Sequence, residues 1–254
     1  MPPPGRARTG RRVAGVLLAV FGVLLLLAGG GIALHGVKNS RQEIRNDAYW
    51  AGLWRNVPAE EIFPDLISMK QAVHGDRRDA ANAQWVRLGI APQTSCAAGL
   101  TGRTAERAEA AGCQGVVRAT YADPSGDMIA TVAVIGLPDG RAESELGGYL
   151  GEQEREDRPD LAVRSHPVPG TAAARWRDDR RNAASGTGVY STYIHHVVAV
   201  TTGAADGRLA TRIPAPWRSE RRLSAERRPW AGAAGDLAQM FATYLGGLAD
   251  KEAR

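Results

Sequence analysis

A chain of 254 residues and 27.0 kDa has room for one ordinary domain with residues to spare. Its 44% hydrophobic and 23% charged residues, with 30 Gly, 14 Pro and 2 Cys, exclude a disordered, collagen-like or disulfide-dense chain. The formal charge of +5 does not mark a nucleic-acid binder, because the first twelve residues carry +4 and residues 38–254 only +1. Of the 32 basic residues only 3 are Lys, which together with the wealth of Ala and Gly reflects codon usage in a GC-rich genome.

Residues 13–34 contain no charged side chain, and as a helix they span roughly 33 Å against about 30 Å of bilayer hydrocarbon. Helix is the form that satisfies each backbone group inside lipid. Arg6, Arg8, Arg11 and Arg12 precede the segment without an acid, whereas Lys38, Arg41 and Arg45 after it are diluted by Glu43 and Asp47. The positive-inside bias therefore places the N-terminus in the cytoplasm and the remainder outside. The expected organisation is a basic tail (1–12), a transmembrane signal-anchor helix (13–37), a juxtamembrane helix (38–57) and an extracytoplasmic domain (58–254). The rival reading is a cleaved signal peptide with small residues at 28–30 or 31–33 as its cleavage site.

Cys96 and Cys113 both fall in the part placed outside, and an even pair in an oxidising compartment predicts a disulfide, with one short helix between them. Ser40-Arg41-Gln42-Glu43 has the capping-box pattern, so a helix is expected over 41–56, ending before Pro58 and burying Trp50 and Trp54. Ile62-Phe63-Pro64 reads as a turn dropping an aromatic into the core, then come a short segment over 66–73 and a loop over 74–82.

Residues 116–121 and 128–137 are β-branched runs joined by Ala122-Asp123-Pro124-Ser125-Gly126-Asp127, which predicts a β-hairpin. The second run is apolar on both alternate sets, so it belongs in the middle of a sheet. Ala142, Leu146, Tyr149 and Leu150 then give a helical stripe, and residues 152–160 an acidic end. Residues 161–166 read as an edge strand, 190–202 as a long strand, and 209–213 as its hairpin partner. Leu237, Met240, Phe241, Tyr244, Leu245 and Leu248 form the clearest amphipathic stripe, with Asp236 at the helix start. The class that results is α+β, a mostly antiparallel sheet packed by helices.

The search for chemistry assigns no catalytic, cofactor or metal residue. His195 and His196 are adjacent in an expected strand and point apart, while His74 and His166 lack ligand spacing. Ser68-Met69-Lys70 does not match a Ser/Lys nucleophile pattern, and Gly186-Thr187-Gly188 precedes a strand, the wrong context for a dinucleotide loop, so it reads as a flexible loop. The carboxylate pairs Glu60-Glu61 and Asp178-Asp179 have no separation that sequence can set. The strongest unusual feature is residues 212–230, where Trp217, Arg218, Arg221, Arg222, Arg227, Arg228 and Trp230 suit an interaction surface for a protein or an anionic envelope component.

The segments Leu53-Trp54-Arg55-Asn56-Val57-Pro58, Ile62-Phe63-Pro64, Trp85-Val86-Arg87-Leu88-Gly89, Ser95-Cys96, Gly112-Cys113 and Arg118-Ala119-Thr120-Tyr121 carry a resemblance over residues 10–137. There the chain resembles uncharacterised single-pass membrane proteins of actinobacteria. That resemblance implies an envelope setting and a paired-Cys extracytoplasmic domain, and transfers no site residue. The expected function is a non-catalytic binding or accessory module in a secretion, cell-wall or sensing assembly, without cofactors. The bilayer and an envelope partner are its expected contacts. The alternative is an anchored or secreted hydrolase, which a concave pocket gathering His166, His195 or His196 and carboxylates favours.

Overall fold

The computed structural model describes residues 7–40, 47–68, 85–153, 160–189, 194–210 and 220–251. The chain divides into two units, Met1–Arg45 and Asn46–Arg254. In the first, helix α1 (Ala7–Ser40) contains a 24-residue stretch, Ala14–Val37, of mean hydropathy 2.6. None of that stretch is buried within the protein, and about 36 Å of helix is enough to cross a bilayer.

The second unit is α+β. Helices α2 (Asp47–Ala51), α3 (Leu53–Asn56) and α4 (Ala59–Ile62) lead into strands β1 (Leu66–Ile67) and β2 (Trp85–Ile90). Helices α5 (Cys96–Gly99) and α6 (Gly102–Ala110) precede the hairpin β3 (Gly115–Ala122) and β4 (Met128–Gly136). Then follow α7 (Gly140–Glu152), β5 (Ala183–Gly188), β6 (His196–Ala204) and α8 (Glu220–Lys251). All strand pairs are antiparallel, and the order across the sheet is β1-β2-β3-β4-β6-β5.

The expected hairpin is present, closed by Asp123, whose Oδ1 accepts the Met128 N–H at 2.8 Å. Strand β4 is central and buried on both faces, as its two apolar alternate sets predict. On one face Val132, Val134, Val198 and Val200 meet Leu237, Phe241 and Leu245 of α8, together with Trp54 and Phe63. On the other, Ala133, Ile135, Val197 and Ala199 meet Leu146 and Leu150 of α7 and Leu100 of the disulfide loop.

Several expectations need correction. The helix expected over 41–56 is two short helices interrupted at Gly52, with 41–46 outside the described residues. The segment over 66–73 contributes only the two residues of β1 before the described chain stops at 68, and the loop over 74–82 lies outside it. Residues 161–166 form no strand, because Ala162 sits at φ 44°, incompatible with a β ladder, and only Val163 bridges, to Leu100. The strand expected from 190 begins at His196, with 190–193 outside the described residues.

Its hairpin partner is also different. Residues 209–210 are not strand, and 211–213 lie outside the described residues. Leu209 and Ala210 follow a chain tied down by Asn182, whose side chain accepts from the Ala210 N–H and donates to the Arg208 carbonyl. The position beside β6 belongs to β5, which holds the Gly186-Thr187-Gly188 taken above for a flexible loop. Finally, Asp236 does not start α8, which extends back to Glu220 through Pro229. The apolar stripe from Leu237 to Leu248 is buried against the sheet.

Cys96 and Cys113 stand at disulfide geometry with Cα atoms 6.3 Å apart. Between them lie two helices, not one, separated around Leu100 and Thr101. Asp160 supplies the cap for α6 from a distance, accepting from the Thr104 N–H and, at 2.7 Å, from its hydroxyl. The double substitution C96A/C113A is expected to cost about 3 kcal/mol, the loop-closure entropy of this 17-residue separation, as measured by denaturant unfolding of the full chain in detergent. An unchanged midpoint would contradict it.

Candidate functional site

The groove that gathers chemistry lies between α7 and β5. Its pocket is about 820 Å³ and is lined by Gly140, Glu143, Ser144, Gly147, Gly148 and Gly151 of α7, by Gly186, Thr187 and Gly188 of β5, and by Val189 and His195. That volume lies within the range of small-ligand sites.

Helix α7 is set by Asp139, whose carboxylate accepts the Ala142 N–H at 2.8 Å. Ala142, Leu146 and Leu150 turn to the core and leave the glycines toward β5. The close approach demands them. A Cβ on Gly147 would stand 2.8 Å from the Gly188 amide nitrogen, and one on Gly186 would stand 2.9 Å from the Cβ of Leu150. A Cβ on Gly188 would meet a Glu143 carboxylate oxygen at 2.7 Å. Gly147 of α7 and Gly186 and Gly188 of β5 are thus one feature, letting a helix backbone ride on a strand backbone.

Glu143 and His195 supply the polar groups. The Glu143 side chain is only 13% exposed, and burial raises its carboxyl pKa to about 7 against a smaller opposing effect of the Val189 amide. His195 Nδ1 lies 3.6 Å from Glu143 Oε2, beyond hydrogen-bond reach, and no other described atom bonds it. His195 is held by its backbone, since its carbonyl accepts the Leu137 N–H at 2.9 Å. The groove therefore presents a carboxyl poised between its two forms at neutral pH next to an imidazole, an arrangement that can exchange a proton or take up a cation.

The raised pKa has a consequence for stability. Between about pH 4.5 and 7 native Glu143 holds a proton that the unfolded chain has lost, so the contribution is full at low pH and disappears as pH rises through 7. Glu143→Gln is expected to stabilise the protein by up to about 3 kcal/mol at pH 8 and by much less at pH 4.5, read from denaturant unfolding at the two pH values. Equal effects at both would show that Glu143 is not desolvated.

The other residues raised by the sequence are dispersed. His166 lies away from the groove, where its carbonyl accepts the Thr120 hydroxyl at 2.6 Å and its N–H meets Thr131. Burial, then Arg118, lowers its pKa. His196 is fully buried with its two ring nitrogens unbonded among the described residues. Burial pushes the Asp178 carboxyl up, but the Ser165 amide and hydroxyl with Arg181 and Arg164 outweigh it and set the pKa below the ordinary value. Asp178 thereby anchors the 160–182 segment. Asp179 pairs with Arg177 at 3.3 Å, and Glu60 and Glu61 open α4. Trp217 and Arg218 lie outside the described residues. Arg221, Arg222, Arg227 and Arg228 fall on the first half of α8, and half-buried Trp230 accepts the Thr202 hydroxyl on its carbonyl at 2.8 Å.

Sequence reading missed Glu143 and the groove. The available signal was the glycine at 140, 147, 148 and 151 facing a second glycine pair at 186 and 188. Fold and site together define an α+β domain with an antiparallel six-stranded sheet, a disulfide and a Glu–His groove, in a chain that also carries one N-terminal apolar helix of spanning length. No family model, curated protein or solved structure matches it.

Proposed function

We propose that this protein is a membrane-anchored binding module of the bacterial cell envelope, with its N-terminus in the cytoplasm and its α+β domain outside, and that the α7–β5 groove is where it binds. The groove carries this reading, because a partly buried carboxyl and an imidazole with spare bonding capacity converge in a concavity of ligand size. The apolar Ala14–Val37 stretch, the basic residues before it and the Cys96–Cys113 pair support the anchor and the oxidising compartment. The Arg-rich stretch at Arg218, Arg221, Arg222, Arg227 and Arg228 suits an anionic envelope component by its charge.

The test is hydrogen–deuterium exchange of the full chain in nanodiscs, with and without an envelope extract of the source cells. Protection is expected over residues 140–151 and 184–189 when extract is present. Gly148→Trp is expected to abolish that protection while leaving the unfolding free energy within about 1 kcal/mol of the wild type, since a Cβ at Gly148 meets nothing within 4 Å. Protection confined to other segments would overturn the assignment.

A second reading, an anchored hydrolase, is favoured by one observation. A carboxyl with a pKa of about 7 facing His195 is the combination that general acid–base catalysis of water attack uses. The groove meets part of the condition set out for that reading, since it unites His195 with a carboxylate and leaves His166 elsewhere. Turnover of a groove ligand that Glu143→Gln abolishes without weakening binding would select it.

A further inference from the structure

Two side chains of the groove face each other without bonding. Glu143, in the first turn of α7, turns Oε2 toward His195, which immediately precedes β6, and the gap to Nδ1 is 3.6 Å. That is too long for a hydrogen bond, and no other described atom bonds Nδ1. Both groups are held in place from elsewhere. The Asp139 cap fixes the start of α7, and the His195 carbonyl accepts the Leu137 N–H at 2.9 Å. Glycine at 188 leaves room for the second carboxylate oxygen, Oε1, which a Cβ there would meet at 2.7 Å.

An imidazole nitrogen and a carboxylate oxygen at this separation fit two ligands of one ion. An ion about 2.1 Å from each, the distance at which Zn²⁺ takes both donor types, would subtend about 120°, near the tetrahedral angle. An ammonium or guanidinium group fits less well, because Nδ1 is closed to a group the size of water, whereas a bare ion needs only the gap itself. Calcium and magnesium take several oxygen ligands, and Glu143 is the only carboxylate among the lining residues. Imidazole with carboxylate suits the transition metals instead. No Lys or Arg lines the groove to compete for the carboxylate. Two protein ligands leave further positions of the ion open toward the groove, which is the arrangement of an ion that takes up an outside donor. A purely structural ion is closed off by four protein ligands.

Resting on the groove assignment above, we infer that Glu143 and His195 hold a divalent transition-metal ion, and that the groove ligand attaches through an oxygen or nitrogen donor at its open positions. The bound ion keeps Glu143 as the carboxylate. The pH effects described for Glu143 are therefore those of the metal-free chain, and are read in chelator.

The experiment is competition for Zn²⁺ between a chromophoric chelator and the tag-free full chain in nanodiscs, with pulsed EPR of the same chain carrying one equivalent of Cu²⁺. One Zn²⁺ per chain is expected, with Cu²⁺ bound more tightly. Glu143→Gln and His195→Ala are each expected to weaken Zn²⁺ binding by more than about tenfold, since losing a residue that merely orients a ligand already costs that much. His166→Ala, away from the groove, is expected to leave it unchanged. The EPR spectrum of the wild type is expected to show a single coordinated imidazole, lost in His195→Ala. No binding, a Cu²⁺ spectrum without imidazole, or Zn²⁺ affinity that both groove variants retain, which would mean an adventitious ion only, would overturn the inference. The exchange protection by envelope extract is expected to vanish in chelator and return with Zn²⁺. Protection that persists in chelator shows a groove that binds without an ion, and only this inference fails. Protection absent with and without Zn²⁺ defeats the binding reading, and with it the claim on the ligand, whatever the titration gives.

Discussion

Phe241→Ala is expected to destabilise the protein by about 3–5 kcal/mol, enough to remove much of the stability of an ordinary domain. Phe241 is fully buried, with its ring 5.4 Å from that of Tyr121 on β3 and 5.9 Å from that of Phe63. It is the point where α8 holds two otherwise separate pieces of chain. The Tyr121 hydroxyl donates to the Pro64 carbonyl at 2.8 Å and the Tyr244 hydroxyl to the Glu61 carbonyl at 2.7 Å, so the same helix and strand latch the 61–64 segment. Removing the ring leaves a cavity among rigid aromatic neighbours, where relaxation is least able to fill it. Denaturant unfolding followed by Trp fluorescence reads the change, and a loss below about 1 kcal/mol would contradict this packing. Phe241→Leu, which keeps most of the volume, is expected to cost under about 1.5 kcal/mol.

The second large effect is a response to acid. Burial, reinforced by the adjacent His195, depresses the His196 pKa to about 3. The unfolded chain binds a proton near the ordinary value of 6.5 and the native chain does not, so stability is full above 6.5 and is lost as pH falls toward 3. Between pH 6.5 and 4.5 the loss amounts to about 3 kcal/mol. Glu143 works in the opposite sense over an overlapping window, because its raised pKa adds stability as pH falls from 7. The two nearly cancel in the wild type, and each appears alone only in the other's variant. His196→Leu is expected to gain about 3 kcal/mol on acidification from pH 7 to 4.5, and Glu143→Gln to lose a similar amount. His196→Leu should also be more stable than wild type at pH 7 by about 1–3 kcal/mol, since it removes two buried nitrogens with no described partner. Parallel pH profiles for the two variants would refute this account.

Elements with a strong periodic pattern were legible in the sequence. The β3–β4 hairpin follows from two β-branched runs flanking turn residues, the α7 stripe and the apolar Leu237–Leu248 part of α8 follow from helical spacing, and the Cys96–Cys113 pair was expected from an even cysteine count. Strand β5 was not legible, because Ala-Ala-Ser-Gly-Thr-Gly has low strand preference and small residues are there to let α7 approach. Its loss hid the groove, since one wall was read as loop. Glu143 was hidden for another reason. In the sequence it is indistinguishable from Glu145 or Glu152, and what sets it apart is the approach of Gly188, Val189 and His195, which are remote in sequence. The stretch at 161–166 misled in the reverse direction, an expected edge strand overruled by a backbone that Ala162 turns out of the β region.

Thiol labelling of intact cells tests most directly the proposal that α1 anchors the chain with the α+β domain outside the membrane. The two native cysteines are paired, so single cysteines introduced at Ser125 in the β3–β4 turn and at Arg8 before the apolar stretch are the reactive sites. The account predicts that a membrane-impermeant maleimide labels Ser125→Cys in intact cells and labels Arg8→Cys only after permeabilisation, both on full-length protein retained in the membrane fraction. Labelling of Arg8→Cys in intact cells with Ser125→Cys protected, or release of a shortened Ser125→Cys chain from the membrane, would contradict it.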